Sequence, residues 1–335
     1  MWQTKGQEKA VGALYRGLIE GRLSHAYLLI GPPHIGKMTL ALDLSRLVNC
    51  TETDKPCGNC QQCSRITNGL HTDVRILEIQ PDLNGNNRSR ISIGIDQVRM
   101  VQKEASLKPY EGKYRVFIFN GAEHFSEEAA NALLKTLEEP PHDVILVLLA
   151  CEFSQLPTTL TSRCMRIELK QVSSTQVRDE LESEYGISRD QALEIAKLSG
   201  GRLGWAIESS RDPSFLKRQA DKMQVINNAV HGNVEDRLSL ADSLSSLFAQ
   251  DRESGYQEVD HWLQWWRDVM VMKEGAPDLI SNLSQGNSLQ EAANTLSLCQ
   301  ITSAIGAIVE TSNNLERNVN PRLAFEELML RLPWL

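Results

Sequence analysis

No stretch of this chain approaches the roughly 18 consecutive apolar residues that a spanning helix needs, so no membrane segment is expected. The N-terminal run MWQTKGQEKAVGALYRGLIEGRLSHAYLLIG lacks the apolar block and small-residue cleavage site of a secretory signal. The chain is therefore expected in the cytoplasm, where thiols stay reduced and disulfides are rare. Positive charge is in deficit: 35 Lys and Arg against 43 Asp and Glu leave a net charge of −8. That balance excludes a surface that grips nucleic acid as a whole, and it leaves DNA contact to a local patch or to partners. Repeats and low-complexity runs are also missing. What remains is an ordinary globular composition, 41% hydrophobic and 23% charged over 335 residues, enough for two or three domains with separate cores.

In the first half, short apolar runs alternate with amphipathic ones. AYLLIG (26–31), DVRILEI (73–79), YRVFIF (114–119), DVILVLLA (143–150) and CMRIEL (164–169) read as strands. The segments between them read as helices, among them GKMTLALDLSRLVN (36–49), with Leu40, Leu44, Leu47 and Val48 on one face. This alternation predicts an α/β domain with a parallel sheet covered on both faces. Ser126 ahead of Glu127 and Glu128 marks a helix start, and Pro140-Pro141 a stop. PDLNGNNRSR (81–90) reads as a polar loop. After about residue 170 the strand signal disappears. Two short helical patterns, the second ended by Gly200-Gly201, predict a small helical domain over 171–210. SSRDPS (209–214) is the expected boundary, and 211–335 is helical throughout. Trp262, Trp265 and Trp266 fall at near-helical spacing in HWLQWWRD and are assigned to that domain's core and contacts rather than to nucleobase stacking.

Four of the seven cysteines, Cys50, Cys57, Cys60 and Cys63, lie within 14 residues as CTETDKPCGNCQQC. C-x2-C turns bring two thiolates to one face of a metal, and Gly58 suits the tight turn within the first of them. Four sulfurs close a tetrahedral shell and leave no position for water, so a structural zinc module is predicted at 50–63. Metal-free thiols or a redox pair would be the bland alternatives. His71 is a weaker extra candidate, read as surface. A zinc-dependent DNA contact is disfavoured, because KPCGNCQQCSR carries only two basic residues.

GPPHIGKMT (31–39) is nearly a phosphate-binding loop. Gly31, Gly36 and Lys37 match G-x-x-x-x-G-K-[ST], in the strand-to-helix setting that makes the motif credible. Such a loop needs backbone N–H groups and a lysine for the phosphates, and a hydroxyl for magnesium. Met38 occupies the hydroxyl position, and Thr39, turned about 100° around the helix, cannot simply replace it. The strand RVFIF runs into NGAEHF, so Asn120 stands where a magnesium-binding Asp belongs and Gly121 where a water-polarising Glu belongs. Glu123 reads as a solvated helix-entry charge rather than as a displaced base. Static nucleotide binding through Gly31, Gly36, Lys37 and Thr39 stays open; magnesium-dependent hydrolysis is expected to fail.

SHAYLLIGPPHIGK, the four-cysteine insertion, NALLKTLEEPP (131–141) and SRC (162–164) occur in the order found in AAA+ subunits of bacterial clamp loaders, and NVNPRLAFEEL (318–328) is similar to their collar end. The resemblance spans almost the whole chain. It implies an AAA+ P-loop domain, a helical lid and an all-α collar. It further implies a hetero-oligomeric ring with motor subunits and a delta-like subunit, which uses ATP to open a sliding clamp and place it on primed DNA for the replicative polymerase. Within that pattern Cys151 replaces a polar sensor of the γ-phosphate, and Gly204 falls at the arginine position of a second sensor, with Arg202 two residues early. The resemblance thus points to a non-hydrolysing member whose Arg163, in SRC, serves as an arginine finger for a neighbour's ATP, with an ordinary salt bridge after TTLT as the alternative. Glu138 and Glu139 are read as interface charges, not catalytic ones. The rival readings are an active motor that hydrolyses ATP itself, a zinc-dependent DNA-binding protein and, more weakly, a nucleoside-phosphate kinase.

Overall fold

Among the described residues, five strands form one parallel sheet, in the order β2-β3-β4-β1-β5. The computed structural model describes residues 1–79 and 92–335, so the polar loop expected at 81–90 lies outside the described residues. Helix α1 (Glu8–Ile19) leads into β1 (Ala26–Ile30), and the phosphate loop feeds α2 (Lys37–Asn49). The short α3 (Gln61–Thr67) precedes β2 (Val74–Leu77). Then follow α4 (Ile95–Ala105), β3 (Arg115–Asn120), α5 (Glu127–Glu138), β4 (Val144–Ala150), α6 (Thr158–Thr161) and β5 (Met165–Glu168).

Every neighbouring pair of strands is parallel. Side chains alternate between the faces. On β3, Phe117 and Phe119 join Val98, Val101, Leu133 and Leu137 of α4 and α5, while Val116 and Ile118 join Leu14, Leu40, Leu44 and Leu47 of α1 and α2. This double covering explains why β4, VILVLLA, is apolar at every position and buried at every position. Ser126 caps α5 by accepting the N–H of Ala129 at 3.1 Å, and the helix stops at Glu138, two residues before Pro140-Pro141. Because β1 lies between β4 and β5, the loop after it opens beside the carboxyl ends of β4 and, one strand further, β3. In open α/β sheets that edge is where ligands bind.

The chain divides into two compact units, Met1–Gln176 with Gly201–Trp205, and Val177–Gly200 with Ala206–Leu335. Beyond β5 every element is helical: α7 (Ser174–Tyr185), α8 (Arg189–Leu198), α9 (Leu203–Ser210), α10 (Phe215–His231), α11 (Val234–Gln250), α12 (Arg252–Lys273), α13 (Gly286–Thr295), α14 (Leu298–Glu316) and α15 (Pro321–Arg331), with two short 3₁₀ turns between α12 and α13. Trp262, Trp265 and Trp266 of α12 are buried in the core of the second unit, the last two edge to face at 5.1 Å. Base stacking by these rings is thereby excluded. Among the described residues no single helix is long and apolar enough to cross a membrane.

One charged side chain is decisive for this helical unit. Arg237, fully buried, donates to five carbonyls: Ala229 and Val230 at the end of α10, Met329 of α15, and Leu332 and Pro333 beyond it. The negative ends of two helices thus receive the charge. The guanidinium also sits 3.5 Å from the Trp334 ring centroid. Arg237→Ala leaves carbonyls without donors and a cavity, and is expected to cost about 3–5 kcal/mol in denaturant unfolding. Arg237→Lys should recover little of it, because an ammonium has three donors and no planar fork.

Candidate functional site

The degenerate phosphate loop borders a cleft of about 410 Å³, lined by residues of the loop and the starts of the chain segments after β3 and β4. Gly36 takes φ 105° at the N-cap of α2, a left-handed conformation that glycine adopts without cost. A Cβ at Gly31 would stand 3.0 Å from the Leu169 carbonyl. Lys37 is turned back on its own loop: its Nζ donates to the carbonyls of Gly31 and of Pro32 (3.1 Å), and lies 3.8 Å from Cys151 Sγ. Burial pushes its pKa down, and the neighbouring Cys151 and Glu123 oppose the shift.

On the metal side the cleft is poor. Met38 is half-buried against the core under α2. Asn120 spends its amide on Glu78, with Nδ2 to Oε1 at 3.2 Å. Thr39 does line the cleft. Glu123 departs from the sequence reading: it is not a solvated charge but turns into the cleft, where Oε1 accepts the Cys151 N–H at 3.3 Å and Oε2 is buried with no partner among the described residues. Its carboxylate offsets the Lys37 charge in the place where phosphate charge would be wanted. Gly204 closes the cleft from α9. A Cβ there would meet the His34 carbonyl at 2.6 Å, so an arginine cannot replace it without moving the loop. Arg202, two residues earlier, lies over the Trp205 ring at 5.4 Å.

The four cysteines converge as expected. Their sulfurs all lie within 4.8 Å of one another, so the group could hold a metal ion. Cys50–Cys60 and Cys57–Cys63 are 3.9 and 4.0 Å apart, close to the sulfur–sulfur spacing of about 3.8 Å that follows from tetrahedral zinc–sulfur bonds. Backbone N–H groups of Asn59 and Cys60 point at Cys57 Sγ (3.4 and 3.2 Å), and that of Cys63 at Cys60 Sγ (3.5 Å), which favours thiolates. Burial opposes ionisation of Cys50, Cys60 and Cys63 and pushes the Cys50 and Cys63 thiols up, whereas at Cys60 the N–H groups of Cys63 and Thr51 outweigh it and take this thiol to about 6. Donor type, spacing and supporting hydrogen bonds therefore fit zinc. His71 is not part of the group, and its reading as surface is also corrected. It is buried, accepts the Asp73 N–H on Nδ1, and so donates from Nε2 to Gln62 Oε1 at 2.6 Å. Helix α2 joins the two sites, with Lys37 at its start and Cys50 as its C-cap.

Arg163 lies outside this cleft. It follows α6, about one-third exposed, with Nη2 on Glu138 Oε1 at 2.7 Å and Nη1 on the Thr159 carbonyl at 2.9 Å. The adjacent Cys164 packs on the core, and burial pushes its thiol up to about 11. Arg163 thus serves no group in the chain's own phosphate loop.

Comparison with known proteins decides the family. The family described as "DNA polymerase III, delta subunit" matches residues 6–173, and its C-terminal counterpart matches residues 216–333. The DNA polymerase III subunit delta' of Bacillus subtilis is 29% identical over 97% of this chain and 96% of its own length. The chain belongs to the delta-prime type of DNA polymerase III clamp-loader subunits. The tau/gamma subunit of Haemophilus influenzae is 34% identical over 75% of this chain, but the match spans 35% of that longer protein. A solved DNA polymerase III gamma subunit-related protein of Thermotoga maritima aligns over 96% of this chain and 97% of its own, at 18% identity and a TM-score of 0.45. The architecture described above is that of the AAA+ class: a P-loop between β1 and α2 of a five-stranded parallel sheet, with a helical remainder. As a clamp-loader subunit the chain takes part in DNA replication.

Besides the burial of His71 and the pairing of Arg163 with Glu138, the sequence reading missed Glu78 as partner of Asn120, the inward turn of Glu123, and the contact of Gly204 with His34. Only the last left a trace, as a glycine in the expected arginine position.

Proposed function

We propose that this subunit does not hydrolyse ATP and instead lends Arg163 to the ATP site of an adjacent motor subunit. The observation that carries the reading is the cleft itself. Met38 replaces the magnesium-binding hydroxyl, Asn120 is an amide engaged by Glu78, Gly121 offers no base, and Glu123 places a negative charge beside Lys37. A site that lacks the motif's hydroxyl and aspartate for magnesium forfeits the charge neutralisation on which phosphoryl transfer depends. The partly exposed guanidinium of Arg163, outside that cleft, is then available to another subunit's triphosphate.

In this reading residues 1–170 form the AAA+ domain, 171–210 the lid and 211–335 the collar that joins the ring. The cysteine module carries a structural zinc. Its partners are motor subunits, a delta-like subunit, the sliding clamp and, through the complex, primed DNA, all in the cytoplasm. ATP hydrolysis belongs to the motors.

The test is direct. The purified chain, incubated with magnesium and ATP at millimolar concentrations, should show no turnover above a buffer control. Lys37→Ala in the reconstituted complex should change clamp loading less than twofold. Brisk turnover by the isolated chain that Lys37→Ala abolishes would make it a motor.

A further inference from the structure

Glu138 occupies an unfavourable place. It is the last residue of α5, where the helix dipole opposes a negative charge, and its carboxylate is half exposed. Pro140-Pro141 prevent the helix from running on, so the position of this carboxylate is set by the chain. An exposed ion pair of this kind contributes little to stability. Its geometry suggests another use.

Arg163 is held from two sides. Thr159, one turn back along its own segment, takes a hydrogen of Nη1 through its carbonyl at 2.9 Å, and Ser162 Oγ lies at the longer 3.4 Å from the same nitrogen. Glu138, from a different helix, takes a hydrogen of Nη2 at 2.7 Å. A guanidinium has five N–H groups. That of Nε and one of the two on Nη2 have no partner among the described residues, and Nε and Nη2 share one edge of the planar group. That edge is the one that grips a phosphate with two parallel hydrogen bonds.

We propose that Glu138 is a positioning residue for Arg163, pinning the guanidinium so that its Nε–Nη2 edge faces outward toward the neighbour's nucleotide. This rests on the reading of Arg163 given under Proposed function. An unpinned arginine must lose its side-chain freedom on the way to the transition state, and pinning it beforehand raises the rate without changing ground-state binding.

The experiment uses the reconstituted clamp loader with clamp and primed DNA. It reads the single-turnover rate constant of the neighbouring site and the ATP concentration at half-saturation. Glu138→Ala is expected to lower the rate constant about 3- to 10-fold with half-saturation unchanged. Glu138→Gln, whose Oε1 still accepts the Nη2 hydrogen, should retain about half of the rate or more. In the Arg163→Ala background, Glu138→Ala should have no further effect. A rate constant that stays the same or rises in Glu138→Ala overturns the proposal: the first outcome makes the pair idle, the second makes it a lock. A loss that persists in the Arg163→Ala background overturns it too, as a structural effect. If Arg163→Ala is itself silent, the finger reading falls, and this one with it. If Arg163→Ala is severe while Glu138→Ala is silent, only the positioning role falls.

Discussion

Arg163→Ala in a reconstituted clamp loader is expected to slow hydrolysis at the adjacent motor subunit's site by about 10³–10⁵-fold. The guanidinium supplies a permanent, planar positive charge where negative charge spreads over the transferring phosphoryl oxygens. Arg163→Lys should recover only a small part, because a point charge cannot give two parallel hydrogen bonds. Steady-state turnover of the whole complex understates the effect, since other ATP sites are served by other subunits. Single-turnover hydrolysis separates the slowed site as a distinct phase. Folding should be unaffected, because Arg163 is partly exposed and its ion pair with Glu138 is a surface one. A complex with Arg163→Ala that hydrolyses and loads clamps at wild-type rate would remove the trans-acting role.

The second large effect is expected from metal removal. The purified chain should carry about one zinc ion, bound with the apparent free energy of about 10 kcal/mol or more typical of structural sites. Stripping it, or introducing Cys63→Ser, removes the tie that holds Cys50, Cys57, Cys60 and Cys63 together. The damage should reach α3 and the end of α2, because the buried Arg46 donates to Thr67 of α3 at 2.8 Å while it pairs with Asp43. Without α3, that guanidinium keeps one partner fewer in a dry setting, which is costly. Hydrogen exchange should show residues 50–67 losing protection while the β3–β4 core keeps it, and the thermal midpoint should fall. Acid should mimic the chelator, since protonated thiols release the metal. A chain that contains no metal and ignores chelators would retire the zinc module.

The inner strands β1, β3 and β4 were readable because each carries a short apolar run, and the all-apolar, short β4 fits a strand covered on both faces. The cysteine group was readable because its ligand spacing is local. So were the losses at Met38, Asn120 and Gly121, each defined by its place in a short motif. Glu123 was misread: nothing in NGAEHF says whether a carboxylate points to water or into a cleft. His71 was misread for the same reason, since its burial depends on Gln62 and on the backbone of Asp73.

Residues close together along the chain thus carried the fold class, the cysteine group that could hold a metal ion and the departures from the hydrolytic motif, because local geometry ties spacing to chemistry. Tertiary structure alone decided that Gly204 rests on His34, that Glu138 holds Arg163, and that Arg237 gathers the carbonyl ends of two helices. Gly204 and His34 are 170 residues apart, Glu138 and Arg163 are 25 apart, and Arg237 and Met329 are 92 apart. Hydropathy records only which side chains leave water, and which of them meet is fixed by strand order and helix packing.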